Sequence, residues 1–105
     1  MAWLLLTVSG ALEVVWASAL KASEGFSKPL HSVIVAVAAF ASFWLLAWAM
    51  KSLPLGTAYP VWVGIGAVGS FIVGIVAFGE AASPLRLASA ALIVIGIAGL
   101  KLAEG

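Results

Sequence analysis

One acidic side chain in this sequence stands where acids are scarce. Glu13 lies near the middle of an apolar run, residues 2–20, with no Lys or Arg within a helical turn. Holding an acid at bilayer depth costs roughly 2.5–3.5 kcal/mol on insertion scales, and acids kept there usually mark ion or proton pathways. Glu24, Glu80 and Glu104 fall in loops or at the terminus, so Glu13 is the single acid at depth. Desolvation disfavours a charged carboxylate, and a second copy of the same acid nearby disfavours the second charge further. Such a group holds a proton, or releases it and binds a cation. Competition between the two for one site is the minimal machinery of an exchanger. The plainer alternative is a neutral acid that hydrogen-bonds for packing.

The neighbours suit a cation. Gly10, Glu13 and Ala17 stack at helical spacing, which leaves room beside the carboxylate, and Trp16 is one turn away. Tyr59 and Trp62 stand three apart with Gly66 on the same face. A tyrosine hydroxyl can hydrogen-bond a carboxylate, and aromatic faces attract cations. Taken without Glu13, these aromatics would read as packing or interfacial anchors, as Trp3 does; Trp44 and Trp48 read as packing or lipid-facing. Ser42 is a weaker candidate, because a mid-helix serine often bonds its own backbone. His31, just after Pro29, reads as a solvated residue, and Lys101 as a side chain that snorkels to the surface. With no cysteine and one histidine, thiolate chemistry and a metal centre lack ligands. No base, nucleophile and orienting group converge, so an enzyme is not expected, and no cofactor is implied.

These residues need elements made for lipid. The 105 residues are 65% hydrophobic and 9% charged, against about 45–50% and about 25% in soluble domains. A chain this short cannot hide that surface in a core of its own. A net charge of +1 gives no basic face for nucleic acid. Ala17-Ser18-Ala19 imitates a signal-peptidase site, but no positive charge precedes the apolar run and Glu13 interrupts it. The segment reads as a retained helix. Hydrophobic runs bounded by charges, Pro or Gly predict four spans, at roughly 2–20, 30–50, 55–78 and 85–102, each near the ~20 residues that cross a bilayer core. The expected fold is an all-α integral membrane protein with a single four-helix domain, multi-pass in the cell's inner membrane.

Four crossings place Lys21, Lys28 and Arg86 on one side, and Lys51, Lys101 and the terminal amine on the other. Lys/Arg bias orients membrane proteins, and here it is close to nil. Both insertions are permitted, and so is an antiparallel pair of identical chains. Four helices cannot enclose a polar path alone, so oligomerisation is expected. Small residues let membrane helices approach closely. Ser89 and Gly96, with Gly99 a turn further, give the fourth span a dimer seam, while Gly64 and Gly66 suit a bend in the third. Close packing is the alternative role of those two glycines.

The stretches Gly10-Ala11-Leu12-Glu13-Val14-Val15-Trp16, Ser23-Glu24-Gly25-Phe26, Leu53-Pro54-Leu55-Gly56-Thr57-Ala58-Tyr59 and Trp62-Val63-Gly64-Ile65-Gly66-Ala67-Val68-Gly69 strongly resemble the small multidrug resistance family over essentially the whole chain. The resemblance implies an antiparallel, dual-topology homodimer and proton-coupled export through one site that both copies of the acid share. Gly10-x-x-Glu13-x-x-Trp16, Lys51-Ser52-Leu53-Pro54 and Gly99-Leu100-Lys101 resemble the guanidinium-exporter branch. There the residues matching Glu13, Trp16, Ser42, Tyr59 and Trp62 surround the substrate. Two positions depart from the family pattern: Pro60 replaces the usual alanine, and Val63 a small or hydroxylated residue.

The expected function is proton-coupled antiport of guanidinium or a small substituted guanidinium, whose fork of N–H donors matches a carboxylate. The partners are then a small organic cation, protons, lipid and a second copy of the chain. One alternative is a proton-coupled exporter of quaternary ammonium or aromatic cations, held by Trp16, Tyr59 and Trp62. Another is a non-transporting assembly or regulatory subunit that needs Glu13 only for packing.

Overall fold

Prolines and glycines punctuate the chain where the helices begin and end. In the computed structural model, which describes residues 1–104, four helices run in sequence: α1 Ala2–Ala22, α2 Pro29–Ala49, α3 Leu55–Phe78 and α4 Pro84–Glu104. Each boundary lies within two residues of the span expected from the hydrophobic runs. Pro29 sits in the first turn of α2 and Pro84 opens α4, where a missing N–H loses no helical bond. Gly79 ends α3 in the left-handed conformation (φ 68°), and the Glu80 N–H donates back to the Gly74 carbonyl at 3.0 Å, a helix-terminating arrangement that favours glycine. All four are long and apolar enough to cross a membrane.

The α1–α2 turn is pinned from inside. The fully buried Ser23 hydroxyl donates to the Leu20 carbonyl (2.8 Å) and accepts from the Phe26 N–H (3.0 Å). That bracket holds Glu24, Gly25 and Phe26, all at positive φ.

α1 lies between α2 and α3, which meet each other only locally, and the backbone of α4 approaches α3 alone. The Cα positions span 43 × 34 × 16 Å. A width of 34 Å is about that of four helices side by side at the usual 8–10 Å spacing. Such a slab has no enclosed middle. Its core is small, with Leu6, Leu46, Ala49, Ala58, Val61 and Trp62 clustered in the half next to the α2–α3 turn. Elsewhere large apolar side chains face outward, Val76 at 79% exposure and Leu92 at 68%. In lipid this is no penalty, because hydrocarbon solvates them.

Pro60 lies inside α3, yet the helix continues past it. Having no N–H, it leaves the Gly56 carbonyl without its helical donor. Helical structure also runs unbroken through Gly64-Ile65-Gly66, and each glycine there receives a neighbour's side chain. A Cβ on Gly64 would meet Ile97 Cδ1 of α4 at 2.8 Å. A Cβ on Gly66 would overlap the Glu13 carboxylate of α1.

Candidate functional site

Glu13 projects from α1 against the bare backbone of α3 at Gly66, where any larger residue would displace it. Its Oε1 is buried and has no hydrogen-bond partner among the described residues. The same holds for Nε1 of Trp16, one turn along α1. Buried polar atoms left unpaired are uncommon and costly. Here the two residues that carry an unpaired acceptor and an unpaired donor, Glu13 and Trp16, line one cleft of about 230 Å³ with Ala17, Val63, Gly66, Ala67 and Ser70. A second cleft of about 350 Å³ shares Ala17 and Ser70 with it and extends to Lys21, Glu80 and Arg86. The Glu13 cleft therefore adjoins a hollow that leads to the end of the slab carrying the first and third turns. There Arg86 Nη2 lies 3.5 Å from Glu80 Oε1, with its guanidinium over the Phe71 ring.

The aromatic residues form a connected series. Tyr59 and Trp62 rings lie 5.8 Å apart, Trp62 and Phe43 5.6 Å, and Phe43 and Trp16 6.3 Å. These separations and tilts are those of favourable aromatic pairs. Phe43 was not among the residues singled out from the sequence. Adjacent Phe, Ser and Trp on an apolar helix give no sign of which one bridges two others.

Ser42 is fully buried, and its hydroxyl does not bond its own helix. It donates to the Ser9 carbonyl at 2.7 Å and accepts from Trp62 Nε1 at 3.0 Å. The structure thus brings Ser42 and Trp62 together at the α1–α2–α3 junction, and Glu13 and Trp16 together in the cleft. Tyr59, itself half exposed, joins them through the buried Trp62 ring. Gly10 differs from expectation. The space beside it is filled by Ile65 of α3, with which a Cβ at Gly10 would collide; it serves helix approach, while Gly66 gives the carboxylate its room.

On α4, Ser89, Gly96 and Gly99 are exposed, and Ser89 donates to its own helix at Leu85. A Cβ at Gly96 or Gly99 would meet nothing within 4 Å. The stripe of small residues is thus unoccupied within the chain. Lys101 rests over the Trp3 ring at 5.1 Å and Lys51 over Trp48 at 5.2 Å, both at the slab end opposite the hollow. No group of three metal-ligating side chains occurs among the described residues.

Comparison with known proteins matches residues 1–93 to the model of the small multidrug resistance protein family. The chain is 63% identical to the guanidinium exporter of Escherichia coli strain K12 over 102 residues, 97% of each chain. It is 60% identical to the guanidinium exporter of Yersinia pseudotuberculosis over 104 residues, 99% of this chain and 100% of the relative. With the guanidinium exporter of Salmonella typhimurium it shares 57% over 102 residues, 97% of each. Four apolar helices and this kinship make it a multi-pass inner-membrane transporter rather than an enzyme. The chain belongs to the small multidrug resistance family.

Proposed function

We propose that this protein exports guanidinium, or a small substituted guanidinium, in exchange for protons, as an antiparallel dual-topology homodimer whose two copies of Glu13 share one alternating-access site. The observation that carries the reading is the pair of buried, unpartnered polar atoms, Glu13 Oε1 and Trp16 Nε1, on two residues that line one cleft in a slab with no enclosed middle. A cation rich in N–H donors supplies what the carboxylate lacks. A second copy of Glu13 supplies an acceptor for the indole. The relatives named guanidinium exporters, at 57–63% identity over nearly the whole chain, point to the same cargo.

In this scheme the deprotonated carboxylates bind the cation from the cytoplasm, with a planar fork of donors meeting carboxylate oxygens. The two protomers rock about the site, and protons from the far side displace the cation. The exposed face of α4, with Ser89, Gly96 and Gly99, forms the seam. Gly64 and Gly66 let α3 lie close to α4 and α1, and a bend between them would accompany the rocking. Trp16, Tyr59, Trp62 and Ser42 shape the walls.

A second cargo class has an observation of its own. Val63 and Trp16 line the cleft, and from Trp16 a series of rings leads away through Phe43 and Trp62 to Tyr59, surfaces that suit a quaternary ammonium lacking N–H donors. Purified protein in liposomes, given guanidinium and a tetraalkylammonium in parallel and compared with Glu13→Gln, separates the readings. Uphill guanidinium movement by the native protein and none by the variant is the expected result. Preference for the tetraalkylammonium would transfer the site to drug-like cations. Equal exchange by the Gln variant would remove Glu13 from the mechanism, and absence of any transport by the purified chain would favour an assembly subunit.

A further inference from the structure

Ser9 precedes the stretches that carry the family resemblance, yet it is as deeply buried as any residue in the chain, at 0% exposure. Its hydroxyl does not bond its own helix. It crosses to α2 and donates to the Ser42 carbonyl at 2.9 Å, while the Ser42 hydroxyl donates to the Ser9 carbonyl at 2.7 Å. Each serine thus bonds the other's backbone, closing a two-bond ring between α1 and α2. Two such bonds fix both the relative depth and the relative rotation of the two helices, which one bond would not.

Two consequences meet at this ring. Ser42 has a single hydroxyl hydrogen, and the Ser9 carbonyl takes it, so toward Trp62 the oxygen is left as an acceptor. Trp62 Nε1 donates to it at 3.0 Å, which also commits the one donor of that indole. Ser9 lies four residues before Glu13, one turn away on the same stripe of α1. The ring therefore ties the helix that carries the acid to the indole on α3 by way of α2. α1 and α3 also pack directly, at Gly10 and Gly66, so what the ring adds is a directed polar hold on the indole itself.

We propose that Ser9 is a positioning residue for the cation site: by locking α1 to α2 at Ser42 it holds the Trp62 indole, with its N–H turned inward, at a fixed place relative to Glu13. The donors of Ser42 and Trp62 are spent inside the protein, so neither is free to compete with the N–H groups of a donor-rich cation. The inference rests on the export reading for its transport test but not for its spectroscopic one.

The test is a double-mutant cycle of Ser9→Ala and Trp62→Phe, read as KM for guanidinium in proteoliposomes, with the indole ¹⁵N–¹H resonance of Trp62 followed in detergent. Loss of one buried neutral hydrogen bond predicts a KM rise of about two- to tenfold for Ser9→Ala. In the Trp62→Phe background, which has no indole to hold, the same substitution has less effect. The indole N–H exchanges slowly with solvent in the native protein, and its resonance moves in Ser9→Ala. Ser9→Cys, a weaker donor of similar size, falls between serine and alanine and replaces Ser9→Ala if that variant does not assemble. Effects that simply multiply in the cycle would make Ser9 a general packing residue and overturn the proposal. So would an unmoved resonance, or rapid indole exchange in the native protein. If the native protein moves no guanidinium, the export reading fails, and the indole measurements still decide the role of Ser9.

Discussion

Gly66→Ala tests what the glycine does, because two accounts predict opposite signs. As a flexible point in α3, Gly66 weakens the helix, and alanine would stabilise it by about 1 kcal/mol. As a slot for Glu13, it cannot be enlarged. A Cβ there would overlap the carboxylate and lie 2.7 Å from Glu13 Cγ, where carbon contacts normally settle near 3.5–4.0 Å. The acid or α1 must then retreat by about 1 Å. Overpacking of this kind costs about 1–3 kcal/mol, a fall of roughly five- to 150-fold in whatever the packed state supports. We expect Gly66→Ala to lower guanidinium kcat/KM in proteoliposomes within that range and to lower the thermal midpoint of the purified protein. Gly56→Ala is the control, since a Cβ there meets nothing within 4 Å, and its transport stays near native. The decisive arm is stability in a Glu13→Ala background. Without the carboxylate, Gly66→Ala becomes neutral or stabilising. Stabilisation by Gly66→Ala with Glu13 present would refute the slot, as would native transport by that variant.

Three further outcomes follow from other parts of the fold. Pro60→Ala returns an N–H to the Gly56 carbonyl and raises stability by up to about 3 kcal/mol; an unchanged unfolding midpoint would mean that α3 does not feel the proline. Gly96→Leu, at a position with open space around it in the protomer, leaves each chain folded but shifts dimer to monomer in light scattering, and an intact dimer would remove α4 from the seam. If protons and guanidinium compete for Glu13 as proposed, guanidinium binding measured at equilibrium weakens as pH falls, by at most about tenfold per unit for each proton displaced. Affinity independent of pH would contradict a shared site.

The four spans were legible because length, apolarity and the Pro and Gly breaks are local signals. Glu13 was legible for the same reason: an acid in an apolar run is conspicuous whatever surrounds it. What touches what was not. In a soluble helix the apolar stripe marks the buried face, but these helices are apolar all round, so periodicity does not say which face meets a neighbour. Gly64 and Gly66 illustrate the loss. Read along the chain they suit either a bend or close packing against an unspecified neighbour; residues two apart point to different sides, and in the fold one receives α4 and the other α1. The filling of Gly10 by Ile65 and the bridging position of Phe43 depend on how α1, α2 and α3 are set against one another. The one available clue to the Ser9–Ser42 ring was a small polar residue a turn from the acid, which reads equally well as a serine bonding its own helix.

The most direct test of the central claim is proton release on binding. Guanidinium is titrated into the purified protein by calorimetry in two buffers of different ionisation enthalpy, for the native chain and for Glu13→Gln. The account predicts that the native heat depends on the buffer, showing protons leaving as the cation arrives, and that the Gln variant binds no guanidinium. Binding without proton release at every pH tried, or equal binding by the Gln variant, would contradict it.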